Sequence, residues 1–294
     1  MKQIEDFRQW GSATPGHPEY GLTPGVETTT GPLGQGLANA VGMALAEKLL
    51  AQRYNRPGLA VVDHYTYVFV GDGCLMEGIS HEACSLAGTL KLGKLIAIYD
   101  DNRISIDGRV SGWFTDDTAR RFEAYGWEVI PEVDGHNPEA IKAALLSAAI
   151  DPDKPTLVCC RTLIGYGAPK KQDTEGAHGA PLGKDEVAAA RERLQWPHPP
   201  FEVPDAIRAG WDARAKGARW SAEWTDLMAR YRSEFPELAA ELERRLRGDL
   251  PAEFAASAKA YVSRLQAEGP AVASRKASQM ALDAYGPLLP ELVG

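Results

Sequence analysis

Up to about residue 163, the apolar positions of the chain fall into two alternating rhythms. In residues 31–54, "LANAVGMALAEKLL" places apolar and small residues at helical spacing and "NRPG" stops the run, which predicts a helix. "TYVFV" (66–70) is short, apolar and β-rich, a strand; "MEGISHEACSLAGTLKL" (76–92) is helix-like; "KLIAIYD" (94–100) is a second strand. A helix is expected near "DDTARRFEAY" (116–125) and a strand at "WEVI" (127–130). A helix at "NPEAIKAALLSAAI" (137–150) takes Asn137 as its cap and Pro138 in its first turn, and "PTLVCCRTL" (155–163) is a strand. Strands alternating with helices imply βαβ units, hence an α/β fold with a parallel sheet flanked by helices. In such sheets ligands sit outside the carboxyl ends of the strands.

Beyond residue 163 the rhythm changes. "IGYGAPKKQDTEGAHGAPLG" is a long loop rich in Gly and polar residues, of the kind that is functional or disordered. From Lys184 to about Gln266 the chain is charged and helical, with Pro-rich breaks at 197–204. "SRKASQMALDAYGPLLPELVG" (274–294) then starts a fresh cap and helix, and reads as the first element of a further domain. No internal repeat or low-complexity tract is present.

Composition narrows the picture. With 294 residues, 44% hydrophobic and 24% charged, the chain is ordinary globular material, long enough for a large core. A net charge of −8 argues against nucleic acid or an anionic membrane as the main partner. It leaves room for an anionic small substrate held by a few local cations. No apolar run reaches the length of a membrane span, and the first five residues, "MKQIE", do not open a signal peptide. Cys74, Cys84, Cys159 and Cys160 show no CxxC spacing and read as free, buried thiols of a reducing cytoplasm. Cys159 and Cys160, adjacent on a strand, should point to opposite faces.

Candidate chemistry gathers at the strand ends. "VFVGDG" ends a strand in Asp72 between two glycines, and "YDDNRIS" ends the next in Asp101-Asn102. A right-handed crossover brings both ends to one side of the sheet. There the Asp72 carboxylate, the Asn102 side-chain carbonyl and a backbone carbonyl just beyond form an oxygen set suited to Mg²⁺ or Ca²⁺. Mg²⁺ completes its shell with phosphate and water, and "TTTGPLGQG" (28–36), a glycine-rich turn into a helix, offers an anion a seat. It is neither a P-loop nor a dinucleotide fingerprint. Read without context, it is equally an ordinary Gly-rich helix start, and the two acidic turns are equally ordinary strand-to-helix connections.

GDG with an asparagine about thirty residues on matches the thiamine-diphosphate signature. Longer stretches carry more. "TPGHPEYGLTPGVETTTGPLGQGLANAVGMALAEK", "GDGCLMEGISHEACSLAGTLKLGKLIAIYDDNRISIDG", "GWFTDDTARRFEAYGW", "HGAPLG" and "SRKASQMALDAYGPLLPELVG" closely resemble bacterial transketolases, across essentially the whole chain. The resemblance implies thiamine diphosphate and Mg²⁺ (or Ca²⁺) as cofactors. It also implies reversible transfer of a two-carbon ketol unit from a ketose phosphate to an aldose phosphate. The cofactor carries the carbon–carbon chemistry.

Residue by residue, the resemblance puts Gly31, Pro32 and Leu33 against the cofactor and Gly73 against its diphosphate. It makes Asp72, Asn102 and the main-chain oxygen of Ile104 the metal ligands. Glu77 matches a glutamate at the family's dimer interface. His17 matches a binder of substrate hydroxyls, His178 a histidine between cofactor and substrate carbonyl, and Arg275 a binder of substrate phosphate. Read alone, each is an ordinary surface side chain. His64, His81, His136 and His198 match no catalytic histidine.

The same resemblance divides the chain into a diphosphate-binding domain (1–235, incomplete at its start), a helical linker (236–270) and the first element of a pyrimidine-binding domain (271–294). Family members are more than twice this length, and Glu175 stands where many have a second histidine. In the family one subunit's first domain and its partner's second share each active site, so a cytoplasmic homodimer is implied and the isolated chain is expected to be inactive. The nearest alternatives are dihydroxyacetone synthase and deoxyxylulose phosphate synthase; the match through "HGAPLG" and "SRKAS" disfavours the second more. A non-catalytic fragment or split subunit that binds cofactor is the alternative from another class.

Overall fold

The computed structural model describes residues 1–293; Gly294, the end of the last expected element, lies outside the described residues. In chain order the elements are α1 (Lys2–Glu5), α2 (Gln35–Tyr54), β1 (Thr66–Gly71), α3 (Asp72–Met76), α4 (Gly78–Thr89) and β2 (Leu95–Asp101). Then come β3 (Ile104–Ser105), β4 (Gly108–Arg109), α5 (Thr118–Ala124), β5 (Glu128–Asp134), α6 (Pro138–Ala148) and β6 (Thr156–Arg161). The rest is helical: α7 (Lys184–Arg193), α8 (Asp205–Trp211), α9 (Arg214–Glu234), α10 (Pro236–Leu246), α11 (Phe254–Glu268) and α12 (Ser274–Tyr285).

These elements form two compact units, Met1–Arg53 with Val62–Arg214 and Tyr54–Val61 with Ala215–Gly294. The first unit holds a four-stranded, wholly parallel sheet in the order β1-β2-β6-β5, with β3 and β4 as a separate small antiparallel hairpin. Strand period sorts the side chains. Leu95, Ala97, Tyr99, Leu157 and Cys159 enter one core with Leu37, Val41, Cys84 and Phe122 from α2, α4 and α5, and Trp127 just before β5. Ile96, Val158 and Cys160 enter another with Ala144 and Ala148 of α6. Helices therefore cover both faces, and the adjacent cysteines lie on opposite sides as strand geometry requires. All four cysteines are free; burial pushes the Cys84 and Cys159 thiols up to about 12, leaving them neutral and unreactive.

Local signals explain several element ends. Asn137 caps α6, its side chain accepting from the Glu139 and Ala140 amides, with Pro138 opening the helix. The helix expected over 76–92 is two: Glu77 adopts extended backbone (φ −67°, ψ 139°) and separates α3 from α4. The helix expected from residue 31 begins at Gln35, because the Gly31 and Gly34 backbones (φ +140° and +80°) are left-handed. In the second unit, Tyr231 is fully buried and its hydroxyl donates to the Tyr54 carbonyl at 2.6 Å. Arg245 lies over the Tyr54 ring.

Close packing of α4 leaves one glycine no room. A Cβ on Gly88 would stand 1.8 Å from the Tyr125 carbonyl oxygen, whereas one on Gly42 in α2 would meet nothing within 4 Å. Gly88→Ala is expected to destabilise the chain by about 3 kcal/mol through backbone displacement. Gly42→Ala should stabilise it by ~0.5–1 kcal/mol through lost chain entropy. Denaturant melts of the two variants, side by side, test the packing directly.

Candidate functional site

The carboxyl ends of β1 and β2 adjoin, with Gly71 paired to Asp100 in register. Asp72 follows as the first residue of α3 and is only 3% exposed. Its carboxylate is held from two directions: the buried Tyr99 hydroxyl donates to Oδ1 at 2.6 Å, and the Arg103 backbone N–H donates to Oδ2 at 3.1 Å. Arg103 reaches that position with a left-handed backbone (φ +62°), an arrangement worth of order 1–2 kcal/mol of strain in a non-glycine residue. Its neighbours are Asn102, whose Oδ1 accepts the Ile104 N–H at 2.9 Å, and Ile104 itself, which opens β3. Asp72, Asn102 and Ile104 are thus brought to one turn.

The glycine-rich segment lies beside it. A Cβ on Gly73 would be 3.1 Å from Leu33 Cδ1; one on Gly34 would be 2.7 Å from Ile79 and 3.0 Å from the Glu77 Cβ. A Cβ on Gly31 would be 3.2 Å from the His17 imidazole. His17, Gly31, Pro32, Leu33, Gly73 and Glu77 therefore share one neighbourhood, with His17 and Glu77 both exposed. A cavity of about 630 Å³ is lined by His17, Gly31, Leu33, His64, Phe69 and Cys74 among others. A second, of about 500 Å³, is lined by Asp72, Tyr99, Asp101, Asp117 and Arg161.

Within the first unit, one expected site residue, His178, is not joined to this cluster by any hydrogen bond among the described residues. His178 is exposed on the loop after β6, its amide donating to the Glu175 carbonyl. Arg275 is exposed in the first turn of α12, in the second unit. Three of the four unassigned histidines have structural partners: His81 bonds the Tyr125 hydroxyl, His136 accepts the Leu163 N–H and stacks on Tyr166, and His198 meets Trp196 edge-on.

Tyr99 is the residue that motif reading misses. Its signal was the alternation of β2, which turns residue 99 to the same face as Leu95 and Ala97, so a buried hydroxyl there needs an acceptor. Asp101 faces Arg161 at 2.6 Å, without hydrogen-bonding angles, and Arg103 at 4.0 Å.

Burial raises the Asp72 carboxyl above its ordinary 3.8, and Asp101 adds repulsion; the Tyr99 and Arg103 hydrogen bonds oppose this without cancelling it. The sign follows. Below 3.8 the carboxyl is protonated folded and unfolded alike, and as pH rises through the raised folded value ionisation costs folding stability. An Asn at this position keeps an acceptor for the Arg103 amide and a donor for the Tyr99 oxygen. Asp72→Asn should therefore melt like the parent below pH 3.8 and above the parent's midpoint at neutral pH, in ligand-free thermal scans across pH.

No cluster of three or more His, Cys, Asp or Glu arranged for a metal occurs among the described residues. A cation here would rest on one carboxylate, an amide oxygen and a main-chain oxygen, a set that leaves positions for phosphate and water. At Gly31, Gly34 and Gly73 the backbone is closely approached by the His17, Ile79 and Leu33 side chains; a diphosphate would be received by backbone N–H groups of the turn that leads into α2.

Comparison with known proteins agrees with this geometry. The family described as "Transketolase, thiamine diphosphate binding domain" matches residues 1–251. Transketolase 1 of Pasteurella multocida is 62% identical over 294 residues, covering 100% of this chain and 44% of that protein. Transketolase 2 of Escherichia coli is 60% identical with the same coverage. Among solved structures, a transketolase of Pichia stipitis in complex with sedoheptulose 7-phosphate superposes with TM-score 0.89 at 44% identity, covering 100% of this chain and 43% of that one. Transketolase from Leishmania mexicana gives 0.88 at 44% identity with equal coverage. The chain spans less than half the length of these relatives. The chain therefore belongs to the transketolase family, its residues 1–251 matching the thiamine diphosphate binding domain.

Proposed function

We propose that this chain supplies the diphosphate- and metal-binding half of a transketolase active site. The reaction is reversible transfer of a two-carbon ketol group from a ketose phosphate to an aldose phosphate, as in the pentose phosphate pathway. One observation carries the reading: a buried carboxylate, Asp72, bonded to the turn that contains Asn102 and Ile104. Burial without a cationic partner is costly, and a divalent ion is the natural partner for such a group. Asp72, Asn102 Oδ1 and the Ile104 carbonyl would ligate Mg²⁺ (or Ca²⁺); Asn102 Oδ1 would give up its local bond to the Ile104 amide or share it.

Thiamine diphosphate, when bound, supplies the nucleophilic carbon and the electron sink for carbon–carbon cleavage. The protein's share is positioning. Gly31, Pro32, Leu33 and Gly73 would lie along the cofactor, where side chains are small or swing aside. Glu77 would face the neighbouring subunit of a homodimer. His17 would bind substrate hydroxyls, His178 would donate a hydrogen bond to charge developing on the substrate carbonyl oxygen, and Arg275 would grip the substrate phosphate with its planar fork. The boundaries at 235/236 and 270/271 belong to the same reading. So does a cytoplasmic setting, supported by four reduced cysteines; no helix among the described residues is long and apolar enough to cross a membrane.

Calorimetric titration of thiamine diphosphate into the purified chain tests this. Saturable heat is expected with Mg²⁺ present, and little without it or in Asp72→Ala. Equal binding by parent and Asp72→Ala would remove the metal assignment. The isolated chain, given cofactor and Mg²⁺, is expected to transfer no ketol group in a coupled assay.

A further inference from the structure

The long loop between β6 and α7 is tied down by a residue that no motif singles out. Glu186, in the first turn of α7, is one of the few buried charged side chains, 8% exposed. Its Oε1 accepts two backbone amides of the loop, Lys170 N–H at 2.6 Å and Lys171 N–H at 3.0 Å. The Lys171 ammonium in turn donates to the Pro181 carbonyl at 3.1 Å, ten positions further on. The chain therefore passes the start of α7 twice, at 170–171 and at 181. The segment between the two ties carries Thr174, Glu175 and His178.

Other contacts stiffen the same segment. The Thr174 hydroxyl donates to the Lys171 carbonyl, and the Gly167 amide donates to the Gln172 side chain. Arg109, on the hairpin that follows Asn102, pairs with Asp173 at 2.6 Å. Gly167 is pressed on Leu194 just past α7, so closely that a Cβ would come within 2.7 Å of its side chain. Of these ties, the Glu186 carboxylate alone hydrogen-bonds main chain before His178 to the helix that follows it, through charge-assisted, partly buried bonds.

We propose that Glu186 is the positioning residue for His178. It acts on the reaction through the loop's main chain and touches neither cofactor nor substrate itself. The catalytic part of this statement rests on the reading of His178 given above; the mechanical part stands on the hydrogen bonds. A surface-loop histidine free over many conformations would spend little time at a substrate carbonyl, and a clamp at the base of its loop removes that loss.

The test uses the full chain. Amide hydrogen exchange at Lys170 and Lys171 and the His178 Cε1–H resonance are followed in the parent, Glu186→Ala and Glu186→Gln. Glu186→Ala is expected to speed exchange at both amides by about tenfold or more, as loss of charge-assisted bonds would, and to shift or broaden the His178 signal. Glu186→Gln keeps an acceptor without the charge, and should give intermediate exchange and a His178 signal close to the parent's. Unchanged exchange in Glu186→Ala, or faster exchange with an unmoved His178 signal, would overturn the proposal. If Glu186→Ala does not fold, Glu186→Gln decides: intermediate exchange supports the clamp and parental exchange refutes it. These readouts do not involve cofactor, so a failed thiamine diphosphate titration would refute the functional reading and leave the clamp standing.

Discussion

The hydrogen-bonded burial of one carboxylate organises the first unit. Asp72 ends the run of β1, begins α3, receives the Tyr99 hydroxyl from β2 and receives the Arg103 amide from the turn beyond. These contacts join two strand ends and a left-handed turn into one object. A carboxylate so placed is poorly solvated, and its burial disfavours ionisation. The fold tolerates this because the neighbouring core is extensive. Phe122 and Trp127 pack edge-to-face at 5.0 Å, and the Trp127 indole donates to the Cys84 carbonyl.

The sheet's two edges are built differently. β5 carries Pro131, the left-handed Glu132 and a register shift between Ile130 and Val133, devices that discourage strand addition. β1 carries none of these, and its Tyr67 and Phe69 stand exposed, Phe69 at 77%. A parallel strand is ordinarily covered on both faces, and Tyr67 and Phe69 leave one face of β1 open.

Mobility is arranged with similar economy. The glycine-rich turn is set by close approach, since a Cβ on Gly34 would press on Ile79 and one on Gly73 would be tight against Leu33. The His178 loop is set by side chains reaching main chain, with Glu186 at its base. The first device fixes backbone permanently. The second fixes it through hydrogen bonds, which open at modest cost.

Much of this was legible beforehand. Short apolar, β-rich runs placed every strand of the parallel sheet to within a few residues, and Asn137-Pro138 located the start of α6, because caps and local composition are local effects. Motif and resemblance picked out Asp72, Asn102 and the glycine turn, since backbone approach to an anion demands glycines in order along the chain. What stayed hidden was long-range. That Glu77 would split one expected helix into two, that Tyr99 would donate to Asp72, and that Glu186 would reach back to Lys170 are consequences of which segments fold against each other. By itself the sequence determined the α/β class and the strand and helix rhythm, and it singled out the residues proposed to hold a metal and a diphosphate. Tertiary structure alone decided which of them meet, because a hydrogen bond between residues 72 and 99, or 170 and 186, depends on packing that no local pattern encodes.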